Sequence, residues 1–255
     1  MLARAKVAAV VAPFLTAKAP TLAAQIAAAR DALTKMSTSE ARDIAEQILA
    51  ELDLGDWSAL VPEIESLLLA VTEDGISAGF GQIGLLASDA LTEQVNAQAV
   101  AFARDRAAEL VGMRYNEAGE LIANPRAEWA ITDSTRAMLR IDVTTAVEEG
   151  TSTADVAAQL QDAYAFSSER ADTIARTELA RADVAGNMMS YRDSGVVEGK
   201  QWVLGSEHED EDECDDAAAM GVVDLDDDFG GIGDPPAHPR CVCDVVPVMA
   251  AAGDA

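Results

Sequence analysis

All three cysteines of this chain, Cys214, Cys241 and Cys243, and both histidines, His208 and His238, fall between Trp202 and Pro247. Thiolate and imidazole are the donors that Zn²⁺ prefers, four to a tetrahedron, and three cysteines with one histidine make an accepted set. His238-Pro239-Arg240-Cys241-Val242-Cys243 supplies three of those donors within six residues, and Cys214 can reach across from the acidic stretch before it to close the site. Read as a strand, the last segment puts Cys241 and Cys243 on one face. Three thiols cannot all pair within one chain, and Cys241 and Cys243 stand too close together for an ordinary bridge. That count suits a reducing compartment and a metal better than a secreted disulfide framework. The plainer alternative is a set of reduced, partly buried cysteines beside a histidine held by a turn.

Other chemistry is poorly supplied. A cysteine nucleophile needs a base and a group to orient it. Cys241 or Cys243 could be drawn beside His238 in that way, but no glycine-rich oxyanion turn accompanies them. There is no G-x-S-x-G and no H-E-x-x-H, so no catalytic residue is assigned. Residues 207–228 hold twelve Asp or Glu and no Lys or Arg. D-L-D-D-D-F-G-G lacks the calcium-loop register, and the run reads as a solvated loop extended by self-repulsion. Within Arg176-Thr177-Glu178, the first and last residues point to nearly opposite sides of a helix. Glu178 can pair with Arg181 along the surface, and one charge turned inward would anchor the C-terminal loop.

The elements that must position these groups are mostly helical. Residues 2–36 are alanine-rich, are interrupted by Pro13 and Pro20, and read as two short helices or a broken one. Ser37 to Glu40 forms a capping box for a helix reaching about Leu52. Asp56 caps a helix from Trp57 to about Ala70. Gly75, Gly79, Gly81 and Gly84 then mark either a bend or a close approach of a second helix. Helices follow over 92–111 and 132–149, with a tight turn or small hairpin at 115–121 between them. A short helix starts at 151–155 and closes near Tyr164. A long one, capped by Ser167, runs over 168–193 and stops at Gly195. Val-Glu-Gly-Lys-Gln-Trp-Val-Leu and Cys-Val-Cys-Asp-Val-Val-Pro-Val read as two strands. The connection from Gly205 to Pro236 is too long for a structureless loop in a compact domain, so something must pin it. The fold class is mainly α with a small C-terminal α+β module: an elongated helical N-terminal half, then a compact domain with a short antiparallel sheet. The divisions are 1–112, 113–248 and a tail at 249–255.

With 18 Lys+Arg against 45 Asp+Glu, the net charge is −27. That field repels a phosphate backbone, so direct binding to duplex DNA is not expected. The N-terminal stretch imitates a signal peptide, but Pro20 after the apparent cut disfavours cleavage. No run is long and apolar enough for a membrane span.

The order Ile-Ala-Arg-Thr-Glu-Leu-Ala-Arg-Ala-Asp (174–183), Gly195, Lys200-Gln-Trp202, an acidic residue before Cys214, and Pro235-Pro236-Ala-His238-Pro239-Arg-Cys241-Val-Cys243 resembles the phage Mu protein F-like minor head proteins. The likeness covers about 132–248, and 113–248 would be that head morphogenesis domain. Two positions depart from the family pattern: Ala217 stands where a second cysteine is common, and Val242 where arginine is usual. Arg176, Thr177, Glu178, Trp202, Pro236 and Pro239 are the motif residues. The resemblance implies a virion protein near the portal in the phage head, made in the host cytoplasm. Its partners would be portal, capsid or scaffold proteins, and its work head assembly, DNA packaging or ejection. A structural zinc at Cys214, His238, Cys241 and Cys243 is the one cofactor expected. The alternative is an intracellular metal-binding module or a cysteine or zinc hydrolase.

Overall fold

The computed structural model describes residues 6–17, 56–128, 130–148, 163–208 and 211–249. The expected capping box at Ser37 to Glu40 and the start of a helix at 151–155 lie outside them. Among the described residues the chain is mainly helical with two small antiparallel sheets, as the sequence implies. It divides into two compact units. Described residues of 6–17, 56–64 and 105–172 belong to one, and those of 65–104 and 173–249 to the other.

The elements in chain order are α1 (6–17), a 3-10 turn at Ser58–Leu60, α2 (Val61–Gln82), α3 (Asp89–Leu110), β1 (Met113–Tyr115) and β2 (Leu121–Ala123). There follow α4 (Ile131–Glu148), a 3-10 turn at Tyr164–Phe166, α5 (Ser168–Ser194), β3 (Val197–Val203), α6 (Glu213–Ala219), β4 (Val222–Asp224) and β5 (Asp244–Met249). Pro13 sits inside α1 rather than ending it.

In the first unit, β1 and β2 pair as the expected hairpin, with Arg114 opposite Ile122. The Asn116 side chain shapes its turn by accepting from Ala118 N–H and Glu120 N–H at 3.0 and 2.9 Å. Arg170, 3 % exposed, is held on every side. It donates to Thr135 Oγ1 at 2.8 Å, Ala165 O at 2.6 Å, Ile131 O at 3.1 Å and Ser134 Oγ at 2.8 Å. Burial lowers its pKa to about 10, against the opposing pull of Tyr164. Ser167 caps α5 as expected, its hydroxyl accepting from Arg170 N–H at 3.1 Å.

The second unit answers the question left by the glycines. The helix expected to stop near Ala70 continues through Gly75, Gly79 and Gly81 to Gln82, and Gly84, at φ +67°, turns the chain out of it. The reason is packing. A methyl group on Gly75 would overlap the Asp183 backbone carbonyl, and one on Gly186 would overlap the Thr72 carbonyl. A Cβ on Gly79 would lie 2.8 Å from that of Ser190. Backbone therefore meets backbone where α2 and α5 cross. Ser190 Oγ donates to Ile76 O at 2.8 Å across the seam, and Tyr191 O–H bonds Gln82 Oε1. The local cost of interior glycine, about 1 kcal/mol each, is offset by contact that no larger residue permits.

The C-terminal part of this unit is a three-stranded antiparallel sheet in the order β4-β3-β5. Lys200 faces Val223 on one side and Pro247 on the other. Two elements depart from the reading above. The stretch 205–236 is not one loop, since it contains α6 and β4. The second strand begins at Asp244, so Cys241 and Cys243 precede the strand instead of lying on it. Val184, Met188 and Tyr191 of α5, Trp202 and Val245 of the sheet, Ala217 of α6 and Phe229 form one core with the three cysteines.

Candidate metal centre

Three elements bring the donors together. The first is α6, which begins inside the acidic run because two aspartates cap it. Asp212 Oδ1 accepts from Cys214 N–H at 2.8 Å, and Asp215 Oδ2 accepts from Asp212 N–H at 3.2 Å. This reciprocal box fixes Cys214 in the first turn, and the packing of Ala217 one turn later buries it. The acidic run is thus partly built into a helix start, which the solvated-loop reading missed.

The second is the turn from His238 to Cys241. Arg240 adopts φ +68°, a conformation that side-chain-bearing residues rarely take. Cys241 N–H donates to His238 O at 3.2 Å, closing the turn. The third element, α5, holds that turn: Arg240 N–H donates to Thr177 Oγ1 at 3.0 Å, and Thr177 donates onward to Thr173 O at 2.8 Å. The centre of the Arg-Thr-Glu motif is therefore the anchor. Glu178 is buried, with Arg181 Nε 3.7 Å from its carboxylate, so that pair is not the surface pair expected. Arg176 lines a cleft on the other side of His238.

The other motif residues support the same turn. Lys200, 2 % exposed, reaches Asp234 Oδ1 at 2.5 Å, and its ammonium lies 5.4 Å from the centre of the Phe229 ring. Trp202 packs edge-on against that ring, centroids 5.2 Å apart. Asp234 leads into the buried, cis Pro235–Pro236 step. Lys200 and Trp202 thus pin the approach to His238 from beneath. Pro239 is exposed, and its carbonyl lies 3.1 Å from His238 Nδ1.

At the convergence, Cys214 Sγ lies 3.4 Å from His238 Nε2 and 3.7 Å from Cys241 Sγ. All three donor atoms fall within 4.8 Å of one another. A tetrahedral zinc with bonds of about 2.3 Å to sulfur and about 2.0 Å to nitrogen sets edges of about 3.8 Å for S···S and about 3.5 Å for S···N. The observed spacings match those edges. A ligating histidine characteristically donates its remaining ring N–H to a carbonyl or carboxylate, as Nδ1 toward Pro239 O provides. Cys243 is buried in the same core and is a third thiol nearby, but it does not join the group of Cys214, His238 and Cys241. Asp212 Oδ2, 3.1 Å from His238 Nε2, is the nearest oxygen donor. His208 is not brought into this group. It stands with Asp212 and Asp215 in a second cluster, whose two carboxylates are engaged in capping.

Burial sets the direction in which two of these thiols are shifted. Burial drives the Cys214 thiol pKa far up, and the nearby Cys241 adds to the rise. Burial raises Cys243 as well, against the pull of Gly205 N–H. Asp212 moves the other way. Burial alone would raise it, but Cys214 N–H, the Cys214 thiol and the two imidazoles together hold it below the usual carboxylate range.

Residues 137–246 match the family model described as Phage Mu protein F like protein. This part of the chain is similar to Mu protein F-like proteins. No curated protein and no solved structure gives a significant match. The matched stretch contains the whole donor cluster, the Arg-Thr-Glu anchor and the Lys200–Asp234 pair. Two contributors to the site had weaker sequence signals. The Asp212 cap was visible as D-E-C-D ahead of an alanine run, the spacing of a capping box. The Thr177 contact had no local signal, since its partner is 63 residues away.

Proposed function

We propose that this chain is a structural minor head protein of a tailed phage, seated near the portal, whose Mu F-like domain is clamped by one zinc ion. Cys214, His238 and Cys241 are three ligands and Cys243 the fourth. The observation that carries the clamp is the spacing of two buried thiols and a half-buried imidazole, from two separate segments, at the edge lengths of a zinc tetrahedron. When bound, zinc supplies a cross-link between the start of α6 and the turn before β5. The chain's own residues do the rest. Asp212 orients Cys214, Pro239 O orients the imidazole, and Thr177 holds the turn against α5.

A building block is supported over a hydrolase by the likeness of residues 137–246 to Mu protein F-like proteins. A hydrolytic zinc keeps an open position for water. The partners are portal, capsid or scaffold proteins, and the charge of −27 disfavours duplex DNA as a direct partner. Among the described residues, no helix is long and apolar enough to cross a membrane. Mass spectrometry of purified procapsids and virions tests the placement. The protein is expected in a few copies per particle, crosslinking to the portal, and its absence from both particles would overturn the reading.

A further inference from the structure

An antiparallel sheet with one solvated face alternates apolar and polar residues, and a strand that is apolar throughout belongs to a sheet covered on both sides. β5 breaks the alternation: five of the six residues in Asp244-Val245-Val246-Pro247-Val248-Met249 are apolar. Val245 faces the core, opposite buried Trp202. On the other face Val246 stands opposite Gln201, and Gln201 opposite Val222, one row across all three strands. Val203, Val222 and Val246 are 40, 56 and 37 % exposed, and Val248, opposite Gly199, is half-buried. Gly199 keeps this part of the face flat: a Cβ there would lie 3.0 Å from Val222 Cγ1, which covers it. Nine large apolar residues are exposed among the described residues. Five of them, Val203, Met220, Val222, Val246 and Met249, belong to this sheet or border it. Scattered apolar residues are ordinary on a surface; a row of them across one sheet is not.

We infer that the outer face of the β4-β3-β5 sheet docks a basic, amphipathic helix of a partner protein. The width of the face sets the helix. Three strands at a spacing of about 4.8 Å make a strip about 10 Å across, the width of one helix. The surroundings set the charge. From residue 196 onward the chain has sixteen Asp or Glu and two bases, Lys200 and Arg240. Lys200 is buried on the opposite face in its pair with Asp234. Asp224 stands on the outer face, directly opposite Gly199. It is exposed, as are Glu198 on β3 and Asp227 and Asp228 just beyond β4. A second copy of this chain would bring acids against acids. The complement is a helix with apolar residues at i, i+3, i+4 and i+7 and with Lys or Arg flanking them. The three cysteines pack with the inward face, so docking touches none of their thiols and needs no place in a phage head.

The test uses the full chain and three synthetic peptides of about 14 residues, enough for a helix of about 20 Å. The first carries leucines on one helical face and lysines on the other. The second replaces each lysine by glutamate, and the third scrambles the order of the first. Titration calorimetry is expected to show saturable binding of the first alone, weakened by added salt. Val222→Thr combined with Val246→Thr keeps the β-branched shape while making the row polar, and should weaken binding about tenfold. Gln201→Lys, at the centre of the row, should weaken it by charge repulsion alone. Circular dichroism and the thermal midpoint of each variant tell a lost site from a lost fold. Equal binding of the scrambled or the glutamate peptide, or binding undiminished in both variants, overturns the inference. Self-association of the parent that the double variant abolishes would seat a second copy on this face and overturns it as well.

Discussion

Two regions of the same unit achieve close contact by opposite means. Where α2 crosses α5, the chain removes side chains: Gly75, Gly79 and Gly186 let backbones touch, and Ser190 adds one hydrogen bond. Around Cys214, the chain adds donors: thiols, an imidazole, capping carboxylates and a threonine hydroxyl tie segments together beside an apolar core of Trp202, Phe229 and Val245. The helix seam is continuous and regular, so close backbone contact does most of the fixing. The C-terminal segment is short, acidic and loop-rich, and self-repulsion would keep it open without directional bonds. The difference teaches where each kind of lesion should act. Bulk breaks the seam, while loss of a donor breaks the module.

The largest expected effect is at the seam. Gly186→Ala places a methyl against the Thr72 carbonyl, which cannot move aside as a side chain could. A loss of about 3 kcal/mol or more is expected in urea unfolding, with zinc stoichiometry unchanged in the protein that remains folded. Equal loss of zinc and stability would mean the two regions are not separable. A smaller effect is expected at the module. Thr177→Val removes the hydroxyl from Arg240 N–H and should cost about 1 kcal/mol, together with a measurable fall in zinc affinity by competition with a chromogenic chelator. Unchanged affinity would remove Thr177 from the support of the turn.

The smallest effect sharpens the comparison through pH. Burial raises the pKa of Asp183 at the seam, with Asp244 and Asp74 adding to it, and burial likewise raises Asp244 where the module's last strand begins. A raised carboxyl disfavours its charged form in the folded state. The associated stability is present below the ordinary aspartate value of 3.8 and is lost as pH rises through the raised values. Asp244→Asn and Asp183→Asn should therefore raise the thermal midpoint at pH 7, with the gain shrinking toward pH 4. A gain independent of pH would point to packing rather than charge.

Much of this was legible in the sequence. The mainly helical class, the hairpin near 115–121, the Ser167 cap, the stop at Gly195 and the first C-terminal strand follow from periodicity and turn chemistry. That Cys214 approaches His238 and Cys241 was inferred from donor type alone, and the distances agree. What failed did so for physical reasons. Interior glycines look like breakers until the partner backbone is known, so α2 was cut short at Ala70. A run of carboxylates looks solvated, yet two of them are the caps that start α6. Cys241 and Cys243 were placed on a strand because β-branched residues follow them; the turn at Arg240 delays the strand to Asp244. Ala217, standing where the family pattern has a cysteine, is buried in the same core, so the donor count falls while the packing position is kept.

The central claim is that a metal cross-links α6 to the turn before β5. Elemental analysis of the purified protein, paired with thermal unfolding before and after chelation in the parent and in Cys214→Ser, tests it most directly. One zinc per chain is expected, lost in the variant, with chelation lowering the parent's midpoint and leaving the variant's unchanged. Zinc-free parent protein that unfolds at the same temperature with or without chelator, and with or without Cys214, would contradict it.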